Sequence, residues 1–205
     1  MSTRKKQWYG WHFATVERRL GYGDDRQIRT GRKLSVKGDG PLVLCERGMH
    51  ASKRPLDALG FAPGPVACFV MLSGLIVERK SKAVAESRTV LAMADATRTL
   101  HEFALWCATR ALARERKAGH PVDSRSENAL AVKRRWLDGG ATDAELAAAG
   151  DAAWAAAGAA ARAAAGAAAW AAERRAQNRK LTRMLNSLLT PTQQRNSPCA
   201  DSHQP

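Results

Sequence analysis

Residues 87–112, SRTVLAMADATRTLHEFALWCATRAL, contain the change of pattern that decides the fold. Up to Ala94, apolar residues recur at every second position, which is the period of a β-strand. From Leu100 the apolar residues recur every three or four positions, which is the period of an amphipathic helix, and Asp95 or Thr97 can cap that helix. The chain is therefore predicted to have an α+β fold, with strands first and helices after them.

Residues 1–94 are predicted to form a basic β-rich domain built on a small, mostly antiparallel sheet. Aromatic and β-branched residues between Gly, Pro and Asp are typical of short strands joined by turns. The predicted elements are strands at Trp8–Ala14, Lys33–Val36, Leu42–Cys45 (a central strand) and Ser87–Met93, a bent strand or hairpin over Val66–Leu72 and Leu75–Glu78, a loop at Gly21–Asp25 and a short helix over Arg54–Phe61.

Two helices are predicted over residues 95–138, packed on the sheet, and the second runs from about Ser126 to Leu137. Residues 139–190 are alanine-rich and begin with Thr142 and Glu145, which match a capping box. Because alanine has the highest helix propensity, a rod of about 45 residues is predicted there. The polar residues 191–205 are predicted to be a disordered tail.

The alanine-rich rod has two interpretations. Alanine offers little apolar surface for burial, which favours an inert spacer outside the core. Small residues also allow close approach of another helix, so that the segment folds back on the protein or docks in a partner, and Trp154 and Trp170 are the side chains that a protein partner would bind. In that case the rod is a docking or oligomerising module.

The net charge of +14 is concentrated in the first half of the chain. Residues 1–100 hold 18 Lys and Arg against 9 Asp and Glu. Such an excess attracts nucleic acids and nucleoproteins, because neutralising phosphates releases counterions, although a merely solvated basic surface has the same composition. The candidate nucleic-acid-binding residues are Arg4, Lys5, Lys6, Arg18, Arg19, Arg26, Arg29, Arg32, Lys33 and Lys37.

Other classes of protein are disfavoured by composition. No run approaches the roughly 18 apolar residues of a membrane span, and the basic, then polar-aromatic start predicts no signal peptide. The four cysteines lack the spacing of a zinc or redox motif, so we expect reduced cysteines, no metal and no cofactor. Of the five histidines, His50 is the best catalytic candidate, because it is predicted in a turn after a strand and a glycine.

Several segments resemble an uncharacterised small-domain family of bacteriophage and prophage proteins. They are Gly10–Phe13, Gly40–Glu46, Gly48–Ser52, Pro55–Leu59 and Ala62–Gly64, within residues 7–112. Members often carry a helix and a variable Ala/Trp-rich tail after the domain, as this chain does. The resemblance implies a mobile-element origin and a cytoplasmic location in a bacterial host.

Gly48–Ser52, followed by Phe61 and Val66–Leu72, also resembles the middle motif of ADP-ribosyltransferases. In that family a glycine-led strand and a short helix end in an aromatic residue that stacks on nicotinamide, so the resemblance implies NAD as cofactor. It implies catalytic roles for His50, Phe61 and His12, with His12 on the first strand. The usual tyrosine is replaced by Phe61, and Glu78 is the nearest glutamate for the third position.

The leading functional prediction is a phage- or prophage-encoded accessory protein that binds a host nucleic acid or nucleoprotein complex. A defence complex is included, so that the protein would act as an anti-CRISPR type of inhibitor. The alternatives are an ADP-ribosyltransferase-like enzyme that modifies a host target, and a structural module that oligomerises through the alanine-rich helix.

Overall fold

The computed structural model of the chain describes residues 7–160 and 167–190, and for 153–160 and 167–170 it describes the backbone alone. An antiparallel sheet of five strands is combined with helices, so the predicted α+β fold is confirmed. The strands are β1 Trp8–Ala14, β2 Arg19–Gly21, β3 Asp24–Gln27, β4 Lys33–Ser35, β5 Met49–Ser52, β6 Val66–Glu78 and β7 Lys82–Asp95. The helices are α1 Pro55–Leu59, α2 Thr97–Lys117, α3 Ser124–Leu137, α4 Asp143–Ala160 and α5 Ala167–Leu189.

The strand order in the large sheet is β4-β7-β5-β1-β6, and β6 also pairs with β7. The pairings β1–β6, β6–β7, β7–β5 and β5–β1 therefore close a ring, although β1 and β5 meet only where Trp11 faces Ser52. Strand β6 bends at an irregularity between Ser73 and Ile76, which confirms the bent-strand prediction. A separate hairpin of β2 and β3 lies beside the ring.

Alternation along β1 divides its side chains between two apolar clusters. Trp8 and Ala14 belong to one cluster with residues of β5, β6 and β7. Trp11 and Phe13 belong to the other, which is covered by the helices and includes Phe103 of α2. The polar His12 shares the strand parity of Trp8 and Ala14, so its side chain is directed toward the inner side of the ring.

The prediction that the alanine-rich segment is a spacer with little burial is wrong for its second half. Leu181 and Leu185 of α5 are fully buried in the cluster that contains Trp11 and Phe13. Burying each leucine stabilises a fold by about 1.5–3 kcal/mol, so α5 is an integral packing element. The first half contains the predicted capping box, in which Glu145 N–H donates to Thr142 Oγ1 at 3.2 Å. Helix α4 packs on α3.

Other parts of the rod prediction lie outside the described residues. Residues 161–166 and 191–205 are not described, nor are the side chains of Trp154 and Trp170. The single 45-residue helix, the tail and the partner-binding role of these two tryptophans therefore stay predictions.

The predicted central strand at Leu42–Cys45 is wrong. These residues form a turn closed by Val43 and Arg47, which exchange backbone hydrogen bonds of 2.9 Å, and Cys45 has a positive φ of 73°. The strand is β5, which begins directly after Gly48. Gly48 has a φ of +132° and lies where a Cβ would collide with Val84, so only glycine lets the chain turn into β5.

Two further differences concern strands. His50 lies in β5 and not in a turn. The predicted loop Gly21–Asp25 spans the turn and ends of the β2–β3 hairpin, because the polar sequence of β3 carries no apolar alternation to reveal a strand.

Candidate functional site

A cavity of about 420 Å³ opens between the ring of strands and the β2–β3 hairpin. Its walls come from β1, the hairpin, the turn at residues 45–48, β5 and β7, and Phe61 stands at its edge after α1. This volume falls in the range of sites for small ligands. Five Lys and Arg residues line it against two carboxylates, so its charge is positive. The charged lining residues are Asp24, Arg26, Lys37, Glu46, Arg47, Lys82 and Arg88.

Arg88 of β7 is the most deeply placed of these cations, since only 4% of the residue is exposed. Its Nη1 donates a 2.6 Å hydrogen bond to the carbonyl oxygen of His50. Within the described part of the chain, no carboxylate lies at ion-pair distance from its guanidinium. Burial lowers the pKa of Arg88 to about 10, so the group is still protonated at neutral pH. A buried cation without a counter-charge is costly, by several kcal/mol when fully desolvated.

His12 of β1 is half-buried and lines the same cavity. Its Nε2 is buried and has no hydrogen-bond partner among the residues described. Burial, and then the charge of Arg88, lower the pKa of His12 well below its ordinary value of 6.5, so the imidazole is neutral at pH 7. Buried polar atoms are nearly always hydrogen-bonded, and an exception inside a cavity indicates a group that a ligand can satisfy.

His50, the second histidine on the cavity, already has a structural contact. Its Nε2 accepts the backbone N–H of Cys45 at 2.9 Å, which fixes the strained turn before β5. Burial and then Arg88 lower the pKa of His50, and both effects favour the neutral ring that this acceptor role requires. His50 therefore acts mainly by positioning the turn.

The edge of the cavity is aromatic. Phe61 is 55% exposed, and Lys82 Nζ lies 4.5 Å from the centre of its ring. The same ammonium group donates to Cys45 Sγ at 2.7 Å. Tyr22, also exposed, donates its hydroxyl to the carbonyl oxygen of Phe61 at 3.0 Å. Two exposed rings and one cation thus stand where a planar or anionic ligand would enter.

Two of the predicted nucleic-acid-binding residues, Arg26 and Lys37, line the cavity but share one carboxylate. Arg26 binds Asp24 through Nε and Nη2, and Lys37 Nζ lies 3.4 Å from the same side chain. The hydrogen bonds from Arg26 lower the pKa of Asp24 to about 2. Asp24 is therefore ionised and paired mainly with Arg26 and Lys37, and its charge compensates that of Arg88 only in part.

Five other predicted cations form what we call the basic edge: Arg18, Arg19, Arg29, Arg32 and Lys33. All five are exposed, and the described residues place no carboxylate at ion-pair distance from any of them. Backbone pairing fixes their positions: Arg18 O accepts from Ile28 N, and Arg19 pairs with Gln27. Lys33 of the edge strand β4 pairs with Thr89 of β7. Arg4, Lys5 and Lys6 lie outside the described residues.

Sequence reasoning missed three cations of the cavity, Arg47, Lys82 and Arg88. A signal for Arg88 was present, because it is two residues before Val90 in an alternating strand and so shares the face of a buried residue. No comparable pattern marks Arg47, whose guanidinium donates to the carbonyl oxygens of Gly38 and Gly40 and holds the loop before β5.

The ADP-ribosyltransferase resemblance named three residues that the structure brings to one place. His12, His50 and Phe61 all line the cavity. Glu78, its nearest candidate for the third position, is absent from the lining, where the carboxylates are Asp24 and Glu46. Over the described ranges no group of three His, Cys, Asp or Glu side chains could hold a metal ion. Nor does any helix within those ranges have the length and apolarity to cross a bilayer.

Comparisons with protein-family models, with curated proteins and with solved structures gave no significant match.

Proposed function

We propose that the protein is a phage- or prophage-encoded accessory protein that binds a host nucleic acid or nucleoprotein complex through the basic edge. The observation that supports this is that five exposed cations of the edge have no carboxylate at ion-pair distance within the described structure, and that only Glu17 and Asp95 interact with them, at longer range. Cations that are not already paired can exchange their counterions for phosphates. A defence complex that carries RNA or DNA is the target class that best suits a small basic protein of mobile-element origin.

The test is the salt dependence of binding to a DNA duplex and to an RNA hairpin, measured by fluorescence anisotropy. An edge variant replaces Arg18, Arg19, Arg29, Arg32 and Lys33 with Gln. If each cation contacts a phosphate, the variant lowers the steepness of log affinity against log salt by about 4.5, because each of the five contacts contributes about 0.9.

A matched control removes the same charge elsewhere, with Lys117, Arg134, Arg175, Arg179 and Arg183 replaced by Gln. These five are exposed on the helices. The control is expected to keep most of the slope, and equal losses in the two variants would contradict an edge-specific interface.

An ADP-ribosyltransferase-like activity is the second candidate, and it is favoured by the convergence of His12, His50 and Phe61 on one cavity. It predicts NAD binding that depends on Phe61, whose exposed ring can be removed without disturbing a core. Calorimetry with NAD tests it, comparing Phe61→Ala with Val16→Ala, an exposed apolar control that does not line the cavity. Equal binding by both variants, or no binding by the parent protein at millimolar NAD, would reject the enzyme.

A further inference from the structure

The cavity contains two groups that lack a complementary partner in the described structure, and their chemistry defines a ligand. Arg88 presents a buried positive charge whose hydrogen bond in the described structure goes to a backbone carbonyl. The buried Nε2 of His12 has none. A guanidinium and an imidazole N–H can both donate to an oxyanion, and the remaining guanidinium nitrogens of Arg88 suit two parallel hydrogen bonds to one anion.

We propose that this cavity binds a phosphomonoester, the terminal phosphate of a nucleotide, between Arg88 and His12. If the phosphate belongs to the end of a nucleic acid, the inference rests on the proposed function. Binding of a free mononucleotide does not depend on that function. A phosphomonoester offers three terminal oxygens and up to two negative charges. It therefore offers a counter-charge to Arg88 and an acceptor to His12 Nε2 at once, in a cavity whose charged lining is mainly Lys and Arg.

Because Arg88 is deeply buried, the cavity favours the terminal phosphate of a nucleic acid over a phosphodiester in its interior. A phosphodiester has a nucleotide on either side, and both would have to enter the cavity to reach a guanidinium that is 4% exposed. A terminal phosphate enters alone. The nucleoside attached to it then lies at the aromatic edge, where Phe61 and Tyr22 expose ring faces for stacking.

Lys82 is placed to attract the entering anion. Its ammonium group lies over the ring of Phe61 and beside Cys45 Sγ. The cavity thus has a buried phosphate position and an outer cation, which together distinguish a nucleoside monophosphate from an unphosphorylated nucleoside.

The test is calorimetry on the full chain with matched ligand pairs: AMP against adenosine, and a 5′-phosphorylated single-stranded oligonucleotide against the same oligonucleotide with a 5′-hydroxyl. We expect the phosphorylated member of each pair to bind at least about tenfold more tightly, and inorganic phosphate to compete with AMP. NAD, which has no terminal phosphate, is expected to compete poorly. Equal affinity within the adenosine pair overturns the proposal.

Variants and a spectroscopic readout locate the site. His12→Gln and Arg88→Gln are expected to abolish the phosphate preference, and the edge variant described above is expected to keep it. Because Arg88→Gln alters a buried position, the parent protein is also followed by NMR, where AMP and not adenosine should shift the side-chain N–H signal of Arg88. An unchanged signal at saturating AMP, or an undiminished preference in folded His12→Gln, contradicts the assignment.

The two proposals fail separately. If the duplex and the hairpin do not bind but AMP does, the nucleic-acid function is wrong and the phosphate site stands. If the basic edge binds duplex normally but phosphorylation makes no difference to AMP or the oligonucleotide, the phosphate site is wrong alone.

Discussion

Arg88 on β7 and His50 on β5 are joined by a 2.6 Å hydrogen bond from a charged guanidinium to a backbone carbonyl. This bond ties the side chain of one strand to the main chain of its neighbour, at the residue whose imidazole holds the turn through Cys45. The buried guanidinium of Arg88 therefore links β7 to the part of β5 that lines the cavity. A neutral carbonyl compensates a charge only partly, which leaves Arg88 energetically unfavourable unless an anion is bound.

The first prediction follows from that unfavourable charge. Arg88→Met keeps a long side chain and removes the desolvated cation, so we expect the free energy of unfolding to rise by about 1–3 kcal/mol in phosphate-free buffer. Urea denaturation of both proteins measures this. Phosphate should stabilise the parent and not the variant. A variant that is less stable than the parent would show that Arg88 is primarily a structural link between the strands.

The second prediction concerns pH. His12 has a folded pKa well below 6.5, so below pH 6.5 the unfolded chain binds a proton that the folded protein excludes. Stability is then fully present above pH 6.5 and is lost as the pH falls, by up to about 1.4 kcal/mol per pH unit for one such group. Urea denaturation at pH 7.5, 6.0 and 5.0 measures the slope. This window lies above the range in which carboxylates with lowered pKa values, such as Asp24, titrate.

The control for this titration is His12→Gln, which cannot take up the proton. The folded pKa values of His50 and His101 are also lowered by burial, so a shallower loss with the same sign should remain in the variant. An identical slope in the parent and the variant would exclude His12 as a contributor.

The third prediction concerns α5. Leu181→Ala and Leu185→Ala each remove a fully buried side chain beneath the sheet and should lower the free energy of unfolding by about 2–5 kcal/mol. Arg183→Ala, at an exposed position between them, should change it by no more than about 0.5 kcal/mol. For the same reason, a chain ending before Gly139 is expected to be unfolded by circular dichroism. Cooperative unfolding of that shortened chain would contradict this role of α5.

The α+β class could be predicted because strand and helix periods are local properties of the sequence. The pattern of Leu181, Met184, Leu185 and Leu188 was also visible, with spacings of three, four and seven residues. Its burial was underestimated because it follows an alanine-rich segment, and local composition does not show that the helix returns to the sheet. Long-range packing decides that, as in the contact between Leu181 and the cluster of Trp11 and Phe13.

The cavity was only partly predictable for a related reason. The motif in the sequence predicts roles for His12, His50 and Phe61, but 49 positions separate His12 from Phe61, and the ring of strands brings them together. The apolar run Leu42–Cys45 resembles a buried strand in its sequence, because a short apolar run has no period of its own that distinguishes a strand from a turn. The strand is instead β5, and it begins after Gly48, which lies close to Val84. That contact forms only in the folded chain, so the local sequence does not reveal it.

The last prediction concerns a contact that attaches α5 to α1. Helix α1 has no side-chain cap from its own N-terminal residue, Arg54. The backbone N–H of Leu56, in its first turn, instead donates to Asn178 Oδ1 of α5 at 3.3 Å. Asn178 is buried, and its Nδ2 donates to Arg174 O at 3.2 Å. One side chain therefore satisfies a free N–H of another helix across 122 positions of sequence.

Asn178→Ala leaves the Leu56 N–H buried without an acceptor, so we expect the free energy of unfolding to fall by about 1–3 kcal/mol. Asn178→Asp keeps an oxygen for that N–H, and the negative charge is favourable at a helix N-terminus, so its loss should be clearly smaller. Arg179→Ala, at the exposed neighbouring position, is the control. Urea denaturation of the four proteins measures these differences, and hydrogen exchange at Leu56 should accelerate in Asn178→Ala alone. Equal losses for Ala and Asp would mean that the volume of Asn178, and not its acceptor oxygen, holds α5 against α1.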